Sequence, residues 1–230
     1  MMEIEFLTEK YISDVLKLWK ETFGDDEKFI KSFFDCWQPE KHTLILREEH
    51  RILGMLSLLP VTAKGAKGRY IYAVATEQAV RRRGIATRLL LAADEVQLKQ
   101  SEKFSVLVPS SEGLFEFYKK RGWNEILYAP DFSKMMMKDS KKISSDEYFE
   151  KRKKFFLKSD LIEWSMAALS YMKKYGEFIK SSKGAAFLWD GKMAEVLTKE
   201  AFRAEKKMFA LIKYYDNFKL DNPYFGIAMN

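Results

Sequence analysis

Apolar residues in the first forty positions recur at the three- and four-residue spacing of amphipathic helices. Thr8 is a plausible N-cap, the apolar series runs to residue 23, and Gly24 stands where helices commonly end. A second apolar stripe over residues 29–37 follows three acidic residues, which suit the positive N-terminal end of a helix. The pattern therefore predicts two helices ahead of the first hairpin.

The pattern then changes to short runs rich in Ile, Leu and Val. Two such runs flank a polar stretch and predict an antiparallel pair of strands. A further strand, a basic turn, a long helix, a strand and a helix ended by Gly122 follow, which is the order of a βαβ unit. The predicted elements are strands at 43–47, 52–62, 70–75 and 104–108, and helices at 87–101 and 111–121.

Residues 139–230 contain their own helix-capping and turn signals. Capping-box pairs predict two helix starts, and Asp190-Gly191 predicts a tight hairpin. No Gly/Ser/Pro-rich linker precedes this region. We expect two domains, 1–138 and 139–230, both of mixed α+β class. The second is predicted to contain capping pairs Ser144/Glu147 and Asp160/Glu163, a helix from Leu161 to Gly176, a strand at 178–180, hairpin strands at 185–189 and 192–197, a helix through Phe209 and Ile212, and a strand at 224–229.

Composition indicates a folded chain, since 47% of the 230 residues are apolar and 15% are aromatic. The net charge of +7 raises the question of nucleic acid. Residues 1–138 carry 22 basic and 20 acidic side chains, and the rest carry 18 and 13, so the excess is mild. Its densest run, Lys151–Lys154, falls on a predicted helix with acidic neighbours and is expected to be a solvated face. We predict no nucleic-acid partner.

The single Cys36 and two histidines, His42 and His50, give no cluster at metal-ligand spacing. We therefore expect no metal site, a core position for Cys36, and surface or strand-end positions for the histidines. No run of about 18 apolar residues and no signal-peptide pattern appear, so a membrane partner is not predicted and a cytoplasmic location is.

The turn between the third predicted strand and the long helix has the features of a diphosphate site. Its sequence is Arg81-Arg82-Arg83-Gly84-Ile85-Ala86. The first turn of a helix offers unpaired N–H groups and a positive dipole end, and small residues let a ligand approach the backbone. Taken alone, such a turn is also compatible with an exposed basic helix cap.

A second motif follows at Phe117-Tyr118-Lys119-Lys120-Arg121-Gly122-Trp123. With both motifs in this order, the chain resembles the GNAT superfamily of N-acetyltransferases. That family has [R/Q]-x-x-G-x-[G/A] at a strand-to-helix turn and an aromatic-Tyr-x-x-x-Gly-aromatic helix end. The resemblance covers residues 3–138. It is weaker to tandem-GNAT enzymes that modify aminoglycosides, because residues 139–230 lack a second such turn.

The resemblance implies a GNAT fold with a central, mostly antiparallel, splayed sheet flanked by helices. It also implies acetyl-CoA as co-substrate and direct acetyl transfer to a primary amine of a small molecule or peptide. The splayed strand would bind the pantetheine arm, the turn would bind the pyrophosphate, and a tyrosine would protonate the departing thiolate. Carried onto this sequence, the coenzyme residues are Val74, Ala75, Thr76, Arg81, Arg82, Arg83, Gly84, Ile85, Ala86 and Thr87, and the catalytic residue is Tyr118.

Alternatives stay open at several points. Tyr118 also fits a core aromatic at helical spacing. No general base can be assigned, and Glu77, Glu112 and the terminus at Asn230 are only candidates. The acceptor would lie beside the first two helices, where the region around the acids at 25–27 and Trp37 could meet a cationic amine. Helix capping is the other role open to those acids. A non-catalytic acyl-CoA-binding or sensing protein is the rival function, and homo-oligomerisation is left open.

Overall fold

The computed structural model describes residues 1–227, in which the chain forms two compact units. The N-terminal unit comprises residues 1–61, 66–107 and 214–218, and the C-terminal unit comprises 62–65, 108–213 and, within the described residues, 219–227. The predicted division at residue 138 stays a prediction.

The N-terminal unit is a five-stranded stretch of sheet in the order β1-β2-β3-β4-β5, with four helices. Strands β1–β2 and β2–β3 pair antiparallel, and β4 pairs parallel with β5. Its elements are β1 (Met2–Phe6), α1 (Ile12–Phe23), α2 (Glu27–Trp37), α3 (Pro39–His42), β2 (Thr43–Glu48), β3 (Arg51–Ala63), β4 (Ala66–Thr76), α4 (Ile85–Lys99) and β5 (Phe104–Leu107).

The predicted hairpin, third strand, long helix and both N-terminal helices are confirmed within a few residues. Gly24 ends α1 in the left-handed conformation, at φ 81°. The edge strand β1 was missed, because a five-residue strand with four half-buried residues and one exposed residue gives little periodic signal. Thr8 caps only a short 3-10 turn at 9–11, and no hydrogen bond from its side chain supports that cap.

A segment from the C-terminal end of the sequence completes the core of the N-terminal unit. The Tyr215 hydroxyl donates to Asp94 Oδ1 at 2.7 Å and accepts from Gln97 Nε2 at 3.0 Å, and it lies 3.2 Å from Ser105 Oγ. Gln97 and Ser105 are fully buried. Burial and the Asp94 carboxylate raise the pKa of Tyr215 well above its ordinary value, so the phenol remains a neutral donor.

The C-terminal unit contains a four-stranded antiparallel sheet in the order β12-β11-β10-β7, a β6–β13 pair and a β8–β14 pair. Mixed helices and mainly antiparallel strands confirm the predicted α+β class. Its elements are α5 (Gly113–Lys119), β6 (Glu125–Pro130), β7 (Lys141–Lys142), α6 (Ser145–Phe155), β8 (Asp160–Leu161), β9 (Glu163–Trp164), α7 (Met166–Tyr175), β10 (Gly176–Ser181), β11 (Gly184–Trp189), β12 (Lys192–Leu197), α8 (Lys199–Arg203), β13 (Lys206–Tyr214) and β14 (Pro223–Tyr224).

Two predictions in this unit are confirmed at the level of single residues. Ser144 caps α6, and its Oγ accepts from the Glu147 N–H at 3.1 Å. Asp190 and Gly191 both have positive φ, at 49° and 70°, in the hairpin between β11 and β12.

Other predictions in this unit are wrong. Asp160 begins a short strand, because its carboxylate accepts from the Asp221 N–H at 2.7 Å, and the helix starts only after its N-cap Ser165. The predicted helix through Phe209 and Ile212 is strand β13, paired with β6, which was also missed. A short buried apolar run such as 210–212 does not distinguish helix from strand. The predicted final strand is only β14, and residues 228–229 lie outside the described part.

Two single-residue expectations also need correction. Arg152 lies in the run expected to be a solvated face, yet it is 2% exposed. Its Nε donates to both Glu195 carboxylate oxygens, at 2.8 and 3.2 Å, and its Nη2 donates to the Phe225 carbonyl at 2.7 Å. Cys36 is half-buried, whereas a core position was expected.

Candidate functional site

The last five residues of β4 extend beyond the strand beside them. Parallel pairing runs from Gly68 opposite Phe104 to Ile71 opposite Leu107, where β5 ends, and β4 continues to Thr76. The backbone groups on that side of the β4 end are therefore not used by β5. This is the splay that the GNAT resemblance implies, and it begins just before the predicted pantetheine segment.

A bulge-like irregularity lies at the start of this extension. Ala73, inside β4, has φ 50°, a left-handed conformation that is uncommon for a residue with a side chain. Irregularities of this kind re-aim the following residues and are frequent next to active sites. Sequence analysis missed Ala73, because alanine gives no turn signal. It sets the backbone direction of Val74, Ala75 and Thr76.

The connection from β4 to α4 passes through a 3-10 turn at 78–80 and then through two left-handed residues, Arg82 at φ 65° and Gly84 at φ 80°. Gly84 is the N-cap of α4, and the first helical hydrogen bond runs from the Arg88 N–H to its carbonyl at 3.0 Å. A Cβ added at Gly84 would meet no atom within 4 Å. The glycine is therefore required by backbone conformation, and the space beside it is open to a ligand.

Basic side chains surround this N-terminal end of α4. Arg81, Arg82 and Arg83 are exposed, and in the described part of the chain Arg82 and Arg83 form no ion pair. The N–H groups of the first helical turn and the helix dipole add partial positive charge at the same place. An anion such as a diphosphate is the ligand class that this arrangement can hold.

Gly54 on β3 fixes how closely α4 approaches the sheet. A Cβ there would lie 2.7 Å from Ile85 Cγ2, 2.9 Å from the Ala75 carbonyl oxygen and 3.1 Å from Leu89 Cδ1. Only glycine permits this three-way approach. Gly54 therefore brings together two of the predicted coenzyme segments, the β4 end and the first turn of α4. Sequence analysis missed it, because the contact partners are distant in the sequence.

All predicted coenzyme residues, 74–76 and 81–87, lie together in the N-terminal unit at the end of β4 and the start of α4. Tyr118 lies in the C-terminal unit, on α5. The coenzyme and catalytic roles of these residues stay predictions.

Tyr118 is 7% exposed and packs edge-on to Phe117 and Trp123, with ring centroids at 5.1 and 6.2 Å. Burial raises the pKa of Tyr118 to about 12, and the nearby Arg121 guanidinium only partly opposes the shift. The phenol is therefore neutral and a hydrogen-bond donor throughout the physiological pH range.

The helix end after Tyr118 is stabilised by Lys213 from β13. Its ammonium lies 4.6 Å from the centroid of the buried Trp123 ring and donates to the Arg121 carbonyl at 3.0 Å. Gly122 has φ 97°, and an added Cβ would meet Lys213 Cε at 3.0 Å. The Gly-aromatic end of the second motif thus serves local packing around α5.

The three candidate bases differ in their surroundings. Glu77 accepts two hydrogen bonds from the Arg51 guanidinium, with Nε to Oε2 at 2.9 Å, so its carboxylate is engaged. Glu112 is exposed at the start of α5. Asn230 lies outside the described residues. None of these surroundings marks a general base.

The acids before α2 have structural partners. Asp26 is the N-cap, and its Oδ1 accepts from the Phe29 N–H at 2.8 Å. Asp25 accepts from Trp19 Nε1 at 2.8 Å, and Glu27 pairs with Lys31 at 2.5 Å. Helix capping, one of the two roles left open for these acids, is therefore observed for Asp26, and the other two acids are engaged with Trp19 and Lys31.

Aromatic rings of α1, α2 and β4 pack around Trp19, the side chain that donates to Asp25. Tyr72 lies 5.7 Å from Trp19 and 5.4 Å from Phe33, between ring centroids. Burial, followed by the Asp25 carboxylate, raises the pKa of Tyr72 well above its ordinary value. Trp37 is 2% exposed, so it is a core residue of α2 and offers no open face.

Of the described residues, no group of three or more His, Cys, Asp or Glu could hold a metal ion. His42 lies at the end of α3, and His50 lies in the turn before β3. Within residues 1–227, no helix is both long and apolar enough to span a membrane.

Comparison with known proteins gives one family match. Residues 3–126 match the family model described as acetyltransferase (GNAT) domain, which is more than half of the chain. No curated protein sequence matches the chain.

Several solved structures share the fold at low sequence identity. A putative acetyltransferase from Pyrococcus horikoshii has a TM-score of 0.63 at 14% identity, covering 94% of this chain and 90% of that one. A GCN5-related N-acetyltransferase from Kribbella flavida has a TM-score of 0.61 at 12% identity, covering 93% and 70%. One from Anabaena variabilis has a TM-score of 0.55 at 14% identity, covering 86% and 59%. These matches confirm the predicted fold and give no specific support to the tandem-GNAT resemblance.

Proposed function

Because the chain belongs to the acetyltransferase (GNAT) family and is a GNAT-type N-acetyltransferase, we propose that it transfers the acetyl group of acetyl-CoA directly to a primary amine. The observation that carries this proposal is the end of β4, which extends past β5 and leads through Gly84 into the N-terminus of α4. Extended backbone next to a helix N-terminus suits a ligand with an amide-bearing arm and a diphosphate.

In this proposal, Val74, Ala75 and Thr76 offer backbone groups to the pantetheine arm. The backbone from Arg82 to Thr87 holds the pyrophosphate, and the exposed Arg82 and Arg83 add charge. The residues fit the ligand, since the space at Gly84 is open and the left-handed backbone there turns the chain into the helix.

Transfer begins when the neutral amine nitrogen attacks the thioester carbonyl carbon. The C–S bond then breaks, the sulfur leaves as a thiolate that takes up a proton, and the new amide nitrogen loses one. We assign the donor at sulfur to Tyr118. With a pKa of about 12 against ~8.5 for an ordinary thiol, it acts chiefly by hydrogen-bonding to the developing thiolate, since full proton transfer would be uphill.

The amine must lose its proton before attack, and the surroundings of Glu77 and Glu112 support neither as the base. We therefore propose that the amine is deprotonated through water. The proposal also includes a small-molecule or peptide acceptor beside α1 and α2. It further includes a cytoplasmic location and no nucleic-acid or membrane partner. The family match favours catalysis over the rival role of a non-catalytic acyl-CoA sensor.

The coenzyme site is tested by titrating acetyl-CoA calorimetrically into the wild type, Gly84→Glu and the control Gly65→Glu. Gly65 has φ +76° and open space at its Cβ, like Gly84 at +80°, so both variants carry a similar conformational strain. We expect binding to be lost only in Gly84→Glu. Equal affinities in both variants would place the pyrophosphate elsewhere.

Catalysis is tested by a screen of amines that detects free thiol, followed by Tyr118→Phe on the amine accepted. We expect unchanged coenzyme affinity and turnover lower by ~10²-fold. Tyr128→Phe, an exposed tyrosine in the same unit, is the control. Unchanged turnover with chemistry rate-limiting would make Tyr118 a packing residue, and coenzyme binding without turnover on any amine would favour the sensor.

A further inference from the structure

The connection between β4 and α4 is held by side chains as well as by its backbone. It begins at Glu77, whose N–H donates to the Leu53 carbonyl at 3.0 Å and thus extends the β3–β4 contact by one residue. The Val80 N–H then donates to the Glu77 carbonyl at 3.1 Å, which closes the 3-10 turn. Beyond Val80 the chain has two left-handed residues before the helix, a shape that an unconstrained loop would rarely populate.

The first side-chain interaction, here called a tie, is an ion pair between Arg51, the first residue of β3, and Glu77. Both carboxylate oxygens accept from the same guanidinium, Oε2 from Nε at 2.9 Å and Oε1 from Nη2. A bidentate pair fixes orientation as well as distance, in contrast to a single contact. Arg51 is about half exposed and Glu77 about one quarter exposed, so the pair contributes little to global stability.

The second tie spans the same turn from its other end. Arg81 Nε donates to the Thr76 carbonyl oxygen at 3.2 Å. This bond joins the first arginine of the basic turn to the last residue of β4, across the four residues between them. The head group of Arg81 is thereby directed toward backbone, unlike those of Arg82 and Arg83, which have no such partner in the described chain.

We propose that Arg51, Glu77 and Arg81 are positioning residues, which hold the β4–α4 connection in the shape that binds the coenzyme. The inference rests on the proposed coenzyme site. It assigns Glu77 a role through Arg51 in place of general-base catalysis, and it assigns Arg81 a role through Thr76 in place of a direct charge contact with phosphate. Pre-forming the connection lowers the ordering cost that binding would otherwise carry.

The Arg51–Glu77 tie is tested with Arg51→Glu, Glu77→Arg and the charge-swapped double variant in the full-length chain. We expect each single variant to weaken acetyl-CoA binding by ~3–10-fold, and the double variant to regain most of that loss. Glu77→Gln should shift affinity in the same direction and leave the pH profile of turnover unchanged. Arg47→Gln, which breaks the ion pairs of Arg47 on β2 with Glu3 and Glu5 on β1, is the control and should bind normally.

Two outcomes of the binding and turnover measurements overturn this assignment. Glu77→Gln with normal affinity and a lost acidic limb in the pH profile would make Glu77 the base. Single variants with wild-type affinity would show that the tie has no positioning role. If the wild type itself fails to bind acetyl-CoA, the proposed function fails first, and amide hydrogen exchange at 77–87 without ligand then decides the positioning role. Faster exchange in the single variants, restored in the double, supports it, and unchanged exchange overturns it.

The Arg81 tie is tested by comparing Arg81→Gln on acetyl-CoA and on S-acetylpantetheine, which lacks all the phosphates. A positioning residue predicts a similar ~3–10-fold loss of kcat/KM on both substrates, because the Thr76 end of β4 is disturbed in either case. A phosphate contact predicts a loss on acetyl-CoA alone, with a weaker salt dependence of its binding, and that result would overturn the assignment.

Discussion

Two arginine–glutamate pairs, one in each unit, have the same chemistry and opposite surroundings. In the C-terminal unit, Arg152 and Glu195 have side chains only 2% and 0% exposed, whereas Arg51 and Glu77 in the N-terminal unit are 56% and 26% exposed. The buried pair must be fully hydrogen-bonded or it costs stability, and the exposed pair is solvated and constrains mainly local shape. Surroundings therefore decide whether such a pair serves the fold or the site.

The buried pair meets that requirement. Glu195 accepts from the Tyr148 hydroxyl at 2.5 Å and the Tyr224 hydroxyl at 3.0 Å, in addition to Arg152. Burial, followed by the Glu195 charge, raises the pKa of both tyrosines well above the ordinary value, so both remain donors. The network joins α6, β12 and β14, three elements that are far apart in the sequence.

The largest expected effect comes from breaking the buried pair. Glu195→Ala leaves the Arg152 guanidinium buried without its counter-charge, and we expect a loss of about 3–5 kcal/mol in the free energy of unfolding. Urea denaturation measures this. The double variant Arg152→Met with Glu195→Leu should be closer to wild type than Glu195→Ala. A loss below about 1 kcal/mol would show that the network is not essential to the unit.

An intermediate case sharpens the comparison. Arg69 and Glu102 in the N-terminal unit have side chains 10% and 4% exposed, with Arg69 Nε donating to Glu102 Oε1 at 2.7 Å. This network is less complete, since Glu102 Oε2 has no hydrogen-bond partner in the described part of the chain. Burial raises the pKa of Glu102, and Arg69 opposes that rise.

Arg69→Met is therefore expected to cost roughly 2–3 kcal/mol, less than Glu195→Ala, because the remaining carboxyl can take up a proton. Urea denaturation at neutral pH measures the loss. If Arg69→Met proves more destabilising than Glu195→Ala, the completeness of the hydrogen bonding does not determine which buried pair costs more free energy of unfolding when it is broken.

A pH dependence follows from the same cluster. His42 Nδ1 lies 3.1 Å from Arg69 Nη1, and burial, followed by the Arg69 charge, lowers the pKa of His42 to about 4. In the unfolded chain His42 titrates near 6.5, so the unfolded state binds more protons between pH 6.5 and 4. The stabilising contribution is fully present above pH 6.5 and is lost as pH falls toward 4.

Because His42 is only partly buried, we expect this loss to be on the order of 1 kcal/mol. The measurement is the free energy of unfolding at several pH values in wild type and His42→Gln. The variant should show a shallower decline between pH 6.5 and 4, and parallel curves would contradict the assignment.

The features that could be predicted from the sequence are those that depend on neighbouring residues. The Gly24 stop, the Ser144 cap and the Asp190-Gly191 turn each depend on a few neighbouring residues, and all three are confirmed. The basic turn before α4 was found in the same way, because its motif is contiguous.

The features that were missed depend on distant contacts. Gly54 matters because Ile85 and Ala75 converge on it, and Arg152 is buried only because Glu195 lies opposite. The apolar run in β13 became a strand because β6 pairs with it. Charge pattern alone predicted a solvated face at Arg152, and no local signal could have corrected that. The burial and secondary structure of such residues are determined by partners that only the folded chain brings next to them.

The smallest expected effect on stability is at the exposed pair, and it is the sharpest test of the contrast with Arg152 and Glu195. Arg51→Gln removes one partner of a solvated ion pair. Because Glu77 is partly exposed, water can replace the hydrogen bonds that its carboxylate loses. We expect the urea midpoint to remain at the wild-type value, while the affinity for acetyl-CoA falls by ~3–10-fold because the β4–α4 connection loosens. The urea midpoint reports the stability of the fold, and the affinity for acetyl-CoA reports the shape of the β4–α4 connection, so one variant distinguishes the two effects. A lower midpoint with unchanged coenzyme affinity would contradict the role assigned to this pair, since Arg51 and Glu77 would then support the fold rather than the site.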